Sequence, residues 1–304
     1  MRTYSLWLTT LLLVGMLFSG WSTEELPAAE KSVYLQQKNV VYAERDGIGL
    51  LMDVFIPTGK RNGVAIVDVV SGGFHSDRGK IRQHKRAKLF ETMCKKGYVV
   101  FGVRPGSISK FSGPEMVVNV NLGIDWIVAH ADEYKIDAKN LGLMGASAGG
   151  YLACQTAVAA EEKSSARNIK AVGVFFPPTD FTQYGPFRAD VRADDILGYL
   201  LRTLLFPDGV DKLTDKQIKR KIIQFSPAHR VTSHAPPFLI FHGNLDFVVP
   251  LQQSKALLAA LKKADVPAEL VIKQGGMHPW PTISEEVVQL ANWFDKRLLK
   301  QTEN

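Results

Sequence analysis

This sequence predicts an α/β protein, a mostly parallel central sheet with helices on both faces, on three observations. From Val64 onwards, short apolar runs alternate with longer stretches of helical periodicity, and parallel strands require crossover connections of that kind. In the middle of the alternation, Gly145-Ala146-Ser147-Ala148-Gly149-Gly150 stands between an apolar run and a helix-like run, which puts a serine on a strand-to-helix turn. Composition agrees, because 304 residues at 46% hydrophobic content can bury a large core and exclude disorder.

The chain opens with Met1-Arg2, an almost wholly apolar run from Leu6 to Phe18, and then the small or polar residues Ser19, Gly20 and Ser22. This predicts a signal peptide over residues 1–22, cleaved within 19–28 after Ser19, Ser22 or Ala28, and hence a secreted or periplasmic protein. The alternative is an uncleaved anchor, which needs an apolar run closer to about 20 residues. No later segment is long and apolar enough to span a bilayer, so the mature chain is expected to have no membrane span.

A single domain is expected over 33–304. It begins with a β pair, Val40 to Glu44 and Leu50 to Ile56, joined at Asp46-Gly47, a strong hairpin-turn signal. Val64 to Val70 follows as a buried strand, Lys85 to Lys96 as a helix stopped by Gly97, and Tyr98 to Val103 as a strand. Val117 to His130 reads as a helix, Leu141 to Gly145 as a strand, Ala148 to Ala160 as a helix and Ala171 to Phe176 as a strand. The alternation resumes with Phe238 to His242, Ser254 to Ala264, Ala268 to Lys273 and Ser284 to Leu299. Between Pro177 and Pro236 no strand is evident, far beyond an ordinary loop. Asp194 to Phe206 and Thr214 to Phe225 read as helices there, predicting a small helical cap, about 181–233, over the carboxyl edge of the sheet.

Charge and cysteine usage exclude several classes. The net charge of +7 is mild, and the basic runs Lys80 to Lys88 and Lys216 to Lys221 read as solvated helix faces without interleaved aromatics, so no nucleic-acid partner is expected. Cys94 and Cys154, the two cysteines, fall in helix-like runs and read as buried thiols. No metal-ligand spacing is present, and neither a metal nor another cofactor is expected.

A serine on a cramped turn is a nucleophile candidate, and the positions two before and two after it must be almost without side chain; Gly145 and Gly149 satisfy that demand. A serine hydroxyl needs a base within hydrogen-bond reach and a third group to orient the base. In such sheets functional groups gather at the carboxyl ends of strands, where Asp246 follows Phe238 to Phe241 and His278 follows Ala268 to Lys273. Asp180, after Ala171 to Phe176, is the rival acid. His242 reads as a packing or turn-stabilising residue, and Asp68, inside an apolar strand, as a hydrogen-bonded buried carboxylate. A tetrahedral oxyanion needs two ready N–H donors: Ala148, and Gly73 in Ser71-Gly72-Gly73-Phe74, with Phe74 the alternative. Phe74, His75, Phe181 and Tyr184 are the candidates for lining a substrate site.

Ser71-Gly72-Gly73-Phe74, the stretch Tyr134-Lys135-Ile136-Asp137 into Gly145 to Gly150, and Ser226-Pro227-Ala228 into His242-Gly243-Asn244-Leu245-Asp246 together resemble the α/β-hydrolase superfamily. Within it, the chain resembles the secreted esterase/lipase group of BD-FAE-type feruloyl and acetyl esterases. Val70-Ser71 stand where that group commonly has His-Gly, and Val103-Arg104-Pro105-Gly106 only loosely matches its Y-R-L-A-P segment. The order serine, aspartate, histidine along the chain is that of α/β-hydrolases. The resemblance implies a serine carboxylesterase without cofactor, acting on acetyl, feruloyl or short acyl esters, free or borne on polysaccharide. Two rival expectations are a prolyl-oligopeptidase-type serine peptidase, whose relatives usually carry an N-terminal propeller, and a hydrolase-like binding protein without catalysis.

Overall fold

The computed structural model describes residues 32–158, 164–188 and 190–299; the predicted signal peptide lies outside them. In chain order the elements are β1 (Tyr34–Arg45), β2 (Ile48–Pro57), β3 (Ala65–Val69), α1 (Arg78–Arg86), α2 (Leu89–Lys95), β4 (Val99–Arg104), α3 (Gly113–Ala129), α4 (Ala131–Tyr134) and β5 (Leu141–Ala146). They continue as α5 (Ala148–Val158), β6 (Ile169–Phe175), β7 (Gln183–Tyr184), β8 (Phe187–Arg188), α6 (Ile196–Leu205), α7 (Asp215–Gln224), β9 (Phe238–Gly243), α8 (Gln252–Lys263), β10 (Ala268–Lys273) and α9 (Ile283–Leu298).

Eight strands form one sheet in the order β1-β2-β4-β3-β5-β6-β9-β10. β1, β2 and β4 pair antiparallel, and every pair from β4 to β10 is parallel. The predicted hairpin turn stands at Asp46-Gly47, both in the left-handed region, as the twist of a two-residue hairpin requires. The inner parallel strands β3, β5, β6 and β9 are buried on both faces, which is why they read as apolar runs, whereas β10 at the edge is only partly buried.

Strand alternation divides the core into two layers. Val67 and Val69 face α3, α5 and α8, whereas Ile66 and Val70 face α1, α2 and α9. α3 starts earlier than predicted because Glu115 accepts hydrogen bonds from the Ser112 N–H and hydroxyl, closing a box around the first turn.

Two expectations need correction. The helix predicted over Lys85 to Lys96 is two helices, broken at Lys88, which is left-handed with φ of 57°. The basic run Lys80 to Lys88 is also not simply a solvated face: on α1, His84 bonds Asp68 and Lys85 bonds Gln36 while lying over the Tyr34 and Phe55 rings. Second, the stretch between β6 and β9 holds a short hairpin, β7–β8, besides its two helices, and it thickens one side of the sheet. Leu201, Leu204 and Leu205 join the core of α3 and α5, while Tyr151 and Gln155 of α5 donate to the Phe225 and Gln224 carbonyls.

Candidate active site

Backbone proximity dictates the sequence around Ser147. A Cβ on Gly145 would stand 2.4 Å from the Gly149 carbonyl oxygen, and one on Gly149 would stand 2.2 Å from that of Val69. No side chain fits either place. Ser147 itself is left-handed, φ 54°, a strained conformation held by its N–H donating to Phe175 O at 2.9 Å and by Gly149 N–H donating to Ser71 O at 3.0 Å. The strain turns the hydroxyl out at the junction of β5 and α5.

The histidine and aspartate come from two loops stitched together. Gly243, at the end of β9, packs so closely that a Cβ there would stand 2.2 Å from Gly276 O. Leu245 N–H donates to Gly276 O, and Gly275 N–H donates to the Asn244 side chain. Across this seam His278 Nδ1 lies 2.7 Å from Asp246 Oδ2, and His278 Nε2 lies 2.9 Å from Ser147 Oγ. Since a carboxylate only accepts, Nδ1 carries the proton and Nε2 offers its lone pair to the serine hydroxyl. The Phe176 ring packs 4.3 Å from the imidazole.

Asp246 is held ionised. Burial pushes its carboxyl up, but the approach of His242 Nε2 at 3.5 Å and the hydrogen bonds from His278 and the Val249 N–H outweigh burial and set it well below the usual carboxylate range. His242 is fully buried, donating through Nε2 to Val249 O and accepting the Ser254 hydroxyl at Nδ1; it braces the acid loop. Asp180 is occupied elsewhere, bonded to Thr182 and His229, so Asp246 and not Asp180 orients His278.

Ala148 opens α5, so its N–H is a first-turn donor without an intrahelical acceptor. Gly73 and Phe74, with φ of 57° and 61°, are the central residues of a tight turn in which Gly72 and His75 exchange both backbone hydrogen bonds. Gly72 N–H is thereby used, leaving Gly73 and Phe74 as this turn's donors. Gly73 borders the cavity beside Ser147, while the Phe74 side chain packs against Tyr151 in the core.

The cavity at Ser147 has a volume of about 500 Å3 and lies on the α1, α2 and α9 side, walled by Leu89, Met144, Phe175 and Val287 with polar groups from Asp68, Lys80 and His84. The four predicted lining side chains do not form it. Phe74 and Phe181 are core residues packed on Tyr151. His75 is exposed beyond the turn, and Tyr184 donates its hydroxyl to Val248 O, another brace on the acid loop. Sequence reasoning missed His84 and Lys80. The available signal was Asp77, whose carboxylate caps α1 and makes the basic run a helix lying against β3.

Among the described residues no group of three or more His, Cys, Asp or Glu side chains is placed to hold a metal, and no helix is long and apolar enough to cross a membrane. Cys94 and Cys154 are free and buried, and burial pushes the Cys94 thiol up to about 12.

The sheet order, the strand-to-helix serine and the two loops that meet it define an α/β-hydrolase fold. The chain belongs to the BD-FAE family, whose model matches residues 52–261. It is 23% identical over 61% of its length to a "Probable carboxylic ester hydrolase LipM" of Mycobacterium tuberculosis, covering 43% of that protein. It is 24% identical over 83% of its length to the acylamino-acid-releasing enzyme of Homo sapiens, covering 33% of it. The chain thus spans about half or less of the length of these curated relatives. Among solved structures, a truncated carbohydrate esterase from gut microbiota superposes with a TM-score of 0.73 at 20% identity, over 89% of this chain and 99% of that one.

Proposed function

We propose that this chain is a serine hydrolase of carboxylic esters working through an acyl-enzyme on Ser147. The observation that carries the reading is the unbroken line Ser147 Oγ, His278 Nε2, His278 Nδ1, Asp246 Oδ2, with spacings of 2.9 and 2.7 Å. His278 takes the hydroxyl proton as Oγ attacks the ester carbonyl, and Asp246, ionised throughout, stabilises the imidazolium. The negative oxygen that develops is met by the N–H groups of Ala148 and Gly73, with the α5 N-terminus behind the first of them. His278 returns its proton to the departing alkoxide, then activates a water that releases the acid and restores Ser147. Ser147→Ala is expected to lower turnover of p-nitrophenyl acetate by about a thousandfold or more; full activity in that variant would refute the assignment.

The proposed substrates are acetyl, feruloyl or short acyl esters, free or on polysaccharide, and the proposed location is outside the cytoplasm. Family membership supports the first, and the apolar leader from Leu6 to Phe18 the second. Intact-mass measurement of the exported protein tests the leader: a mature chain beginning after residues 19–28 agrees, and retention of Met1 refutes it.

The peptidase reading keeps one supporting observation, the similarity to the acylamino-acid-releasing enzyme. Parallel assays on an acyl ester and on proline and acylamino-acid amides separate the two, and preference for an amide would replace the esterase. Labelling of Ser147 by a fluorophosphonate probe speaks against a binding protein without catalysis.

A further inference from the structure

β3 places a carboxylate where its neighbours are apolar. Asp68 lies between Ile66 and Val70 on the face covered by α1, α2 and α9, and it is fully buried. Its Oδ2 is 2.7 Å from His84 Nδ1. Its Oδ1 has no hydrogen-bond partner among the described residues. An ionised carboxyl can only accept, and leaving one oxygen unpaired in a closed core is costly. Leucine would serve packing better at this position.

This unpaired oxygen belongs to a residue that lines the same cavity as Ser147. Ser71, whose buried hydroxyl also lacks a partner among the described residues, lines it as well, and the Lys80 stem lies across Gly72 at its edge. Asp68 pairs with Met144 across the sheet, three residues before Ser147. Three residues at about 3.3 Å each along the strand, with one strand spacing of about 4.8 Å across, put the Asp68 backbone roughly 11 Å from that of the nucleophile. Leu89, Met144, Phe175 and Val287 wall the cavity, so it combines apolar surface with this acceptor.

Resting on the esterase reading, we propose that Asp68, oriented by His84, determines specificity by accepting a hydrogen bond from a hydroxyl at the far end of the substrate's acyl group. The acyl group is the part that belongs in this cavity. It stays on Ser147 while the alcohol leaves, and the polymer of a polysaccharide ester cannot enter about 500 Å3. Burial alone would lower the His84 pKa, but the Asp68 charge and their hydrogen bond leave it raised. The carboxylate at 2.7 Å thus favours the protonated form of the ring. An ammonium would meet His84 and the Lys80 and Arg86 side chains that also border the cavity, and a carboxylate, which only accepts, has no hydrogen to give Oδ1. A neutral hydroxyl avoids the first penalty and donates to Oδ1.

The kcat/KM values for methyl ω-hydroxyoctanoate and methyl octanoate test this. The native protein is expected to favour the hydroxylated ester by about tenfold, the worth of one hydrogen bond to a charged acceptor. Asp68→Leu is expected to bring the ratio to one or below. Should that variant not fold, Asp68→Asn, which loses the charge but keeps an acceptor, is expected to lower the ratio about threefold. A native ratio near one, with p-nitrophenyl acetate still cleaved, overturns the inference and leaves the esterase reading intact. If no ester is cleaved the esterase reading fails, and calorimetric binding of ω-hydroxyoctanoate against octanoate decides the inference: tighter binding of the hydroxy acid supports it and equal affinity overturns it.

Discussion

The two faces of the sheet are built to different ends. On the α3, α5 and α8 face, side chains interlock without a catalytic cavity, and the stretch between β6 and β9 adds Leu201, Leu204 and Leu205 to that layer. On the α1, α2 and α9 face, the helix break at Lys88 and a buried ion pair, Asp68–His84, accompany a cavity that reaches Ser147. The longest insertion in the chain therefore stabilises the first face, and a short basic helix shapes the site on the second. Size of an insertion is a poor guide to where substrate goes.

Between the faces runs the seam of glycines that holds the site, and it should show the largest stability effect. Gly149→Ala drives a methyl group into Val69 O at 2.2 Å, where only backbone can yield. A loss of about 3 kcal/mol or more is expected. Gly73→Ala meets open space and a φ of 57°, and should cost only about 1–2 kcal/mol. Chemical denaturation of both variants checks the order, and equal losses would mean that the elbow is looser than its distances imply.

Next in size is the difference between the layers themselves. Leu201→Ala empties a fully buried position and should cost about 2–5 kcal/mol. Turnover of p-nitrophenyl acetate per folded molecule should stay within about twofold, because α6 does not border the cavity. Leu89→Ala, on the other face, widens the cavity wall and should move the preferred acyl length upward. A shift in acyl preference from Leu201→Ala would erase the distinction between the faces.

What the sequence made legible follows from how each feature is enforced. Ser147, Asp246 and His278 sit where backbone geometry allows one solution, and Gly145, Gly149 and Gly243 announce it because any side chain would collide. The inner parallel strands declared themselves as apolar runs through burial on both faces. Phe74 and Phe181 misled because an aromatic near a strand end looks the same whether it meets substrate or Tyr151, and Tyr184 because its hydroxyl serves the Val248 carbonyl instead. The break at Lys88 was hidden because lysine carries no signature of a left-handed residue.

The smallest effect concerns the ion pair itself, and its sign is fixed by His84. Burial opposes the charged ring, Asp68 more than compensates, and the folded pKa ends above the unfolded one. A raised histidine stabilises the fold fully below its unfolded pKa of about 6.5 and loses that contribution as pH climbs through the folded value. Comparing native protein with His84→Gln by thermal unfolding should therefore give the widest gap in Tm below about pH 6 and a narrowing gap through the neutral and mildly alkaline range. A gap that widens with pH would mean that His84 is neutral in the fold. Asp68 would then face the cavity as an isolated charge, and the difference in design between the two faces would rest on the cavity walls alone.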